Sequence, residues 1–341
     1  MSFLSFKFPW SRSAPVIGLD IDAAGIRLIE LSGKSSHLRV DHFAFEPLSP
    51  GVLREGSMQQ FDQVSEALHI AIVKSGSLTH EVALALPASS VISKVVTLPD
   101  LLSEEDIEAE IHEEASQNLP FAMSEMGLDF YVLGPSSREQ ASVDVMLVAA
   151  RKEKIDERMA IAQAAGLKVV AINVDAYAAR FAISQRMKRD KAGKNNAIGL
   201  YQIGSEQSHF SVLVNSNTVY ERELGFGNQK LKQELQRYGS EMHTELIQPF
   251  NEMLAQEVSR SLQLFFSSSA YMHIDQLCLA GDSCHLAQLE QLLLQKIDIP
   301  VHLANPFSGM KLASTVNQSI LESQAPACLV AVGLAMSGMT I

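Results

Sequence analysis

The chain has few cysteines, fewer basic than acidic residues, and no long apolar run. The cysteines Cys278, Cys284 and Cys328 form no regular framework in 341 residues, which excludes a disulfide-stapled scaffold and indicates a reducing compartment. We therefore expect a cytoplasmic protein. A net charge of -12 at pH 7 argues against nucleic-acid binding, because that affinity comes mainly from Lys and Arg. No segment approaches the ~20 apolar residues that span a bilayer.

The first residues, MSFLSFKFPWSRSA (1–14), place aromatic side chains among a few basic ones. They lack the continuous apolar core and the cleavage site of a signal peptide. We interpret them as an N-terminal tail, and the alternative is a weak interfacial anchor.

Two stretches with the same design begin two predicted lobes, as expected for a chain longer than one hydrophobic core usually supports. The stretch VIGLDIDAAGIRLIEL (16–31) reads as two apolar strands joined by an Asp/Gly turn, with a third strand near 37–45. Residues 196–227 repeat this strand-turn-strand pattern. The polar run QRMKRDKAGKNN (185–196) is the predicted linker between the lobes. The sequence thus predicts a duplicated fold.

The segment 81–166 has a different pattern. Prolines divide residues 81–99 into two strands, and Ser103 with Asp106 resembles a capping box that begins a helix. Two further strands and an amphipathic helix follow. We expect this segment to form a compact α+β unit.

Three glycine-containing turns at strand ends carry the candidate chemistry: Asp20–Gly25, Gln202–Glu206 and Leu279–Asp282. Small residues let backbone N–H groups approach phosphate oxygens, and an acidic residue at a strand end can hold Mg²⁺ through water. The last turn precedes a predicted helix at 283–296, whose N-terminus could face an anion. Each turn alone is better explained as a plain hairpin or strand end.

The order of these turns resembles the nucleotide cleft of the actin, Hsp70 and sugar-kinase superfamily. Within it, the chain closely resembles the type IV pilus assembly PilM family, relatives of the division protein FtsA. The resemblance extends from about Val16 to Met336. Among the segments that carry it are GLDIDAAGIRLIELS, LSEEDIEAEIHEEASQNLPF, VMLVAARKEKIDERMAIAQAAGL and QEVSRSLQLFFSSSAYMHIDQLCLAGD.

The resemblance implies an α/β, actin-like (ribonuclease H-like) two-lobed fold with an FtsA-type inserted α+β subdomain. The first actin-like subdomain would comprise residues 15–80 and 167–190, and the insertion 81–166. The second lobe would be 196–336, with 228–272 as its smaller helical subdomain.

The resemblance also implies a site for ATP with Mg²⁺ between the lobes. The first phosphate turn would be Asp20, Asp22, Ala23, Ala24 and Gly25, with Asp20 toward the metal. The remaining cofactor-binding residues would be Gln202, Gly204 and Ser205 in the second phosphate turn, Gly225 and Gly227 near the ribose or phosphates, and Gly281 and Asp282 near the adenosine.

Three of these positions depart from the pattern that the resemblance implies. Relatives commonly have Gly in place of Asp22, Asp in place of Gln202 and Gly in place of Asp282. Asp22 adds negative charge beside a triphosphate, Gln202 removes a carboxylate that would order Mg²⁺ or water, and Asp282 adds a side chain where close backbone approach is needed. We therefore expect ATP hydrolysis to be weak or absent, and no catalytic residue is assigned.

The resemblance implies a cytoplasmic scaffold that binds the N-terminal segment of the inner-membrane protein PilN. It would lie at the membrane through a PilN/PilO complex, with pilus motor ATPases and self-association as further expected contacts. The partner groove would lie between the first subdomain and the insertion. Two alternatives stay open: an active ATPase of the same fold, and an FtsA-type filament protein. The ending GLAMSGMTI after a core helix counts against the latter.

Overall fold

Runs of β-branched and apolar residues, broken by glycine and proline, form the strands of this protein. The computed structural model describes residues 15–34, 37–54, 56–136, 139–189, 196–238, 243–286 and 288–339. The predicted tail and residues 190–195 of the predicted linker lie outside these ranges. The start of that linker, 185–189, is helical.

Strands occur at each predicted hairpin and in the predicted α+β segment. In chain order they are β1 (Ile17–Ile21), β2 (Gly25–Lys34), β3 (His37–Pro47), β4 (Leu53–Arg54), β5 (Ser57–Met58), β6 (Glu81–Leu86), β7 (Val91–Pro99), β8 (Met126–Pro135), β9 (Ser142–Arg151), β10 (Lys168–Val174), β11 (Ala197–Gln202), β12 (Ser208–Val214), β13 (Asn217–Leu224), β14 (Gln276–Ala280), β15 (Val301–Leu303) and β16 (Lys311–Leu312).

The helices are α1 (Phe61–Ser75), α2 (Glu104–Asn118), α3 (Lys152–Ala164), α4 (Asp175–Arg189), α5 (Gln229–Tyr238), α6 (His243–Ser268), α7 (Leu289–Lys296), α8 (Gln318–Gln324) and α9 (Leu329–Ser337). α2 begins with the predicted capping box, in which Asp106 N donates to the Ser103 hydroxyl and the Asp106 carboxylate accepts from Ser103 N. α1 ends at Gly76, whose left-handed conformation suits glycine. Local chemistry therefore sets these helix limits.

The two main sheets share one strand order. The first runs β10–β6–β1–β2–β3, with β16 added beyond β3, and the second runs β15–β14–β11–β12–β13. In each, the first three strands form an antiparallel meander, and two later strands continue the sheet in parallel from the first. This order confirms the predicted duplicated, ribonuclease H-like architecture. α5 and α6, within the predicted helical subdomain 228–272, share a core with the second sheet.

A third sheet, β7–β9–β8, is the inserted α+β unit. Its strands are antiparallel, and α2 covers one face. The small separate core of this unit contains Leu98, Ile107, Ile111, Val145 and Leu147.

The inserted unit is shorter than the predicted segment 81–166. β6 pairs in parallel with both β1 and β10, and α3 packs on β6 and β10, so both elements belong to the first lobe. Residues Val82–Leu86 are all buried. A strand that is buried on both faces is apolar throughout, whichever unit it belongs to. The local sequence pattern therefore could not assign β6 to the first lobe.

The C-terminal segment returns to the first lobe, although the predicted second lobe extended to residue 336. β16 pairs with β3, and α9 packs on β1, β2 and α4. Every residue of α9 is buried. In the described parts of the chain no single helix is long and apolar enough to cross a membrane; residues Gln318–Ala327 with α9 pass that test together, bent by 92°.

Two glycines let the backbone of α9 pack closely against β1 and α4. A Cβ on Gly18 would lie 1.9 Å from the carbonyl oxygen of Ala331 in α9, and one on Gly333 would lie 1.9 Å from the carbonyl oxygen of Ala178 in α4. Real Cβ atoms do not come that close. Both contacts are backbone, so a side chain could not be accommodated without moving a helix.

We expect Gly333→Ala to destabilise the protein, although Gly→Ala in an open helix position is stabilising by about 1 kcal/mol. Overpacking against Ala178 costs about 1–3 kcal/mol and should lower the thermal unfolding midpoint by roughly 2–10 °C. Gly225→Ala is the control, because a Cβ there has no heavy atom within 4 Å. Equal midpoints for the two variants would contradict the close helix contact.

Candidate functional site

The carboxyl ends of the parallel strands in both sheets border one cleft, the place where open α/β sheets bind ligands. This cleft has a water-accessible volume of about 150 Å³. Its walls are the turn after β1, the end of β6, the start of α4, the turn after β11, Lys232 of α5 and the turn after β14. All three glycine-containing turns predicted from the sequence therefore meet here.

The first turn is stabilised by its own acidic side chain. Oδ1 of Asp22 accepts hydrogen bonds from the backbone N–H groups of Ala24 and Gly25, at 2.7 and 3.0 Å. These are turn amides that the predicted phosphate would use. The carboxylate of Asp22 therefore occupies the anion position of the turn.

Arg27 of β2 lies under this turn with a fully buried side chain. Its guanidinium donates to Oδ2 of Asp22 at 2.8 Å and to Oδ1 of Asp282, and it lies 3.9 Å from Oδ2 of Asp20. It also stacks over the ring of Phe45, with 5.1 Å from Cζ to the centroid. Burial by itself would lower the pKa of Arg27, but the carboxylates of Asp22, Asp282 and Asp20 raise it. Arg27 is therefore charged, and its guanidinium is hydrogen-bonded to the carboxylates of Asp22 and Asp282.

Asp282 brings the second lobe into the same network. Its Oδ2 accepts from Nζ of Lys232 at 3.0 Å, while its Oδ1 accepts from Arg27 of the first lobe. Burial would raise the pKa of Asp282, but Arg27 and Lys232 hold it below the usual value. The Asp282 carboxylate is thus ionised between two cations.

The second and third turns are packed against neighbouring backbone. A Cβ on Gly227 would lie 2.1 Å from the carbonyl oxygen of Ser205, and one on Gly281 would lie 2.1 Å from the carbonyl oxygen of Ile203. Gly281 also has a φ of 102°. The carbonyl oxygens of Gly204 and Ser205 accept from the first N–H groups around α5. These glycines are explained by chain packing without a ligand.

The third turn does not lead directly into the predicted helix 283–296. A short 3₁₀ turn, Asp282–His285, follows Gly281, and α7 begins only at Leu289. The expected helix N-terminus facing an anion is therefore absent from this part of the described chain. The local sequence pattern did not predict this turn, because one of its contacts is with a distant residue: Asn228 donates to the buried Ser283 hydroxyl. The buried Cys284 thiol donates to the carbonyl oxygen of Gly281.

Nine of the twelve predicted site residues line the cleft: Asp20, Asp22, Ala23, Ala24, Gln202, Gly204, Ser205, Gly281 and Asp282. Gly25, Gly225 and Gly227 are not part of its walls. A Cβ on Gly25 would lie 2.4 Å from the carbonyl oxygen of Glu46, so this glycine serves the contact between β2 and β3. The roles assigned to these residues toward a nucleotide stay predictions.

Three buried ionisable groups lie at the base of the cleft. Burial and the nearby carboxylate of Asp22 raise the pKa of Asp20 to about 8. Burial also raises the pKa of Asp175, which accepts from the N–H groups of Ala88 and Ala176. Arg158 of α3 donates to the carbonyl oxygen of Ile21 at 3.0 Å, and burial lowers its pKa.

The groups present do not fit a magnesium-bound triphosphate in this arrangement. The Asp22 carboxylate already accepts from the turn amides. The cations Arg27 and Lys232 are paired with carboxylates, and Arg158 donates to a backbone carbonyl oxygen. A phosphate would have to displace a carboxylate and stand beside the others. Among the residues that the structure describes, no three His, Cys, Asp or Glu side chains are grouped to hold a metal ion.

Sequence reasoning did not select Arg27, Arg158, Asp175 or Lys232 for this site. Arg27 had a signal, because it is a charged residue between the apolar residues Ile26 and Leu28 in the first hairpin, and a charged residue that is buried there needs a partner. Lys232 and Arg158 lie on helices with many charged residues, where nothing local distinguishes them. Their positions depend on how distant elements pack.

Comparison with known proteins gives a consistent result. A family model described as type IV pilus assembly protein PilM matches residues 18–244 and 235–339. The chain is similar to a solved chain from a "PilM-PilN type IV pilus biogenesis complex", with a TM-score of 0.81 and 23% identity over 97% of this chain and 100% of that chain. It is also similar to the ethanolamine utilization protein EutJ from Carboxydothermus hydrogenoformans, with a TM-score of 0.54 and 12% identity over 99% and 95%. These likenesses confirm the predicted two-lobed, actin-like fold.

We expect Asp20 to make stability fall as the pH rises from about 4 to about 8. Burial raises the pKa of Asp20 in the folded protein to about 8 from its ordinary value of 3.8, so in this interval the folded state binds more protons than the unfolded state. Asp20→Asn should flatten that slope in thermal unfolding measured across the interval. Asp156→Asn is the control, because it removes the same charge at an exposed position of α3 and should keep the wild-type dependence of stability on pH. If Asp20→Asn also kept the wild-type dependence, the raised pKa of Asp20 would be contradicted.

Proposed function

Because this chain belongs to the family of type IV pilus assembly proteins PilM, we propose that it is a scaffold protein of a type IV pilus assembly machine. The observation that carries this proposal is the family match, which covers nearly the whole chain. The match in overall fold to a chain of a PilM-PilN complex supports a PilN-like protein as its partner. We place the protein in the cytoplasm, at the inner membrane through that partner.

A groove between the first lobe and the inserted unit suits a peptide segment. Its water-accessible volume is about 530 Å³, more than three times that of the cleft. We call it the insertion groove, and its walls are Ser57, Ser89, Ser90, Val91, Ile92, Phe121, Met126, Ala149, Arg151, Lys154, Glu206 and Gln207. This is the region in which the sequence resemblance predicted the partner groove.

The chemistry of the insertion groove favours a peptide with an apolar anchor and an acidic residue. Phe121 and Ile92 are 40% and 36% exposed at its edge, and exposed aromatic side chains often anchor interfaces. Arg151 stacks on Phe121, with 5.5 Å from Cζ to the ring centroid, and Lys154 bonds the Ser57 hydroxyl. We propose that the cytoplasmic N-terminal segment of a PilN-like protein binds here.

The other predicted contacts rest on the resemblance alone. PilO in the membrane complex, pilus motor ATPases and self-association stay predictions, as do bound ATP and Mg²⁺ with Asp20 as the metal ligand. The contacts of Asp22 and Asp282 give bound ATP no support. An active ATPase is not favoured by any contact described above, since Gln202 offers no carboxylate to activate water.

A synthetic peptide of the first residues of the PilN-like partner should bind at micromolar or tighter affinity in isothermal titration. Phe121→Ala should weaken it at least tenfold, about 1.4 kcal/mol, because it removes the aromatic edge of the groove. Tyr131→Ala is the matched control: Tyr131 is an aromatic residue of the same inserted unit, is 42% exposed and lies outside the groove.

Two results would contradict the proposal. Wild-type protein that fails to bind the peptide at roughly 1 mM, an affinity of about 4 kcal/mol, would exclude the partner. Equal affinity in the Phe121→Ala and Tyr131→Ala variants would exclude the insertion groove as the binding site.

A further inference from the structure

We propose that Asp22, Arg27, Asp282 and Lys232 form an internal latch that joins the two lobes, with the chain's own carboxylates in place of nucleotide phosphates. The latch takes its residues from both sides of the cleft. Asp22 and Arg27 belong to the first hairpin of the first lobe, and Asp282 and Lys232 belong to the second lobe. This inference does not depend on the pilus function or on the peptide partner.

The first support is the position of the Asp22 carboxylate. It accepts two amides of the first turn with Oδ1 and one guanidinium N–H with Oδ2. A phosphate at this turn would need the same amides and the same cation. Intramolecular binding has the advantage that no translational freedom is lost, so an external anion competes poorly.

The second support is the balance of buried charge. The Arg27 side chain is fully buried, and its partners Asp22 and Asp282 come from different lobes. Separating the lobes would remove Asp282 from a buried guanidinium. Breaking a buried ion pair by loss of one partner is strongly destabilising, because the remaining charge stays uncompensated.

The third support is the second cation. Lys232 donates to the oxygen of Asp282 that Arg27 does not use, so both oxygens of this carboxylate are bonded. The side chains of Asp282 and Lys232 are 21% and 34% exposed, whereas the Arg27 side chain is fully buried. Each oxygen of both carboxylates thus accepts a hydrogen bond, and among the described residues only Nε of Arg27 in this network is buried without a hydrogen-bond partner.

The latch predicts a lobe arrangement that nucleotide does not change. We would place spin labels at Glu66 on α1 and Gln236 on α5, both exposed, and measure their distance distribution by pulsed electron resonance. The native cysteines are buried, which confines labelling to the introduced sites. In the intact protein, about 1 mM ATP with Mg²⁺ should leave the distribution and the thermal midpoint unchanged.

Asp282→Asn should broaden the distribution or shift it to longer distances, and should lower the midpoint by at least about 5 °C. Glu114→Gln is the control, since it removes one charge from the Lys94 pair on the inserted unit and should change neither quantity. If Asp282→Asn does not fold, Asp22→Asn tests the other half of the proposal, the carboxylate in the anion position. An Asn oxygen still accepts the turn amides, but the negative charge of Asp22 beside Arg27 is lost, so the thermal midpoint should fall.

Two outcomes would overturn the latch. One is ATP that binds the intact protein and narrows or shifts the distance distribution, since nucleotide would then set the lobe arrangement. The other is an Asp282→Asn variant with the distribution and midpoint of the Glu114→Gln control or, where that variant does not fold, an Asp22→Asn variant with the midpoint of that control. If the protein failed to bind the peptide but met the predictions for the latch, the proposed function would be contradicted and the latch would not.

Discussion

The buried guanidinium of Arg27 is the constraint on which the arrangement of the two lobes depends. A charge with no exposed surface must be neutralised by nearby groups, and here the neutralising carboxylates are Asp22 of one lobe and Asp282 of the other. The same two residues looked unfavourable in the sequence, because each adds negative charge to a predicted phosphate site. Beside Arg27 they complete an ionic network, so their presence is consistent with a structural use of the cleft.

The cleft and the insertion groove are not independent. Glu206 and Gln207, in the turn after β11, line both of them. The groove therefore includes residues of the second lobe, although its apolar edge belongs to the inserted unit. An arrangement of the lobes that is set by internal contacts would keep this groove in one shape, which suits a scaffold.

Local features of the fold were predictable from the sequence, and long-range features were not. The capping box at Ser103 depends on residues within one turn and is found as predicted. The placement of β6, α9 and the partners of Arg27 depends on contacts between segments far apart in the chain. Asp282 is 255 residues from Arg27, and no periodicity or spacing can reveal such a pair.

The most direct test of the shared guanidinium is a double-mutant cycle of Asp22→Asn and Asp282→Asn, measured by equilibrium unfolding. Either change alone leaves Arg27 one close carboxylate, but both together leave it buried with Asp20 at 3.9 Å. The account predicts that the double variant loses more stability than the sum of the single variants, by about 1 kcal/mol or more. Additivity within about 0.5 kcal/mol would show that the two carboxylates act independently and would contradict it.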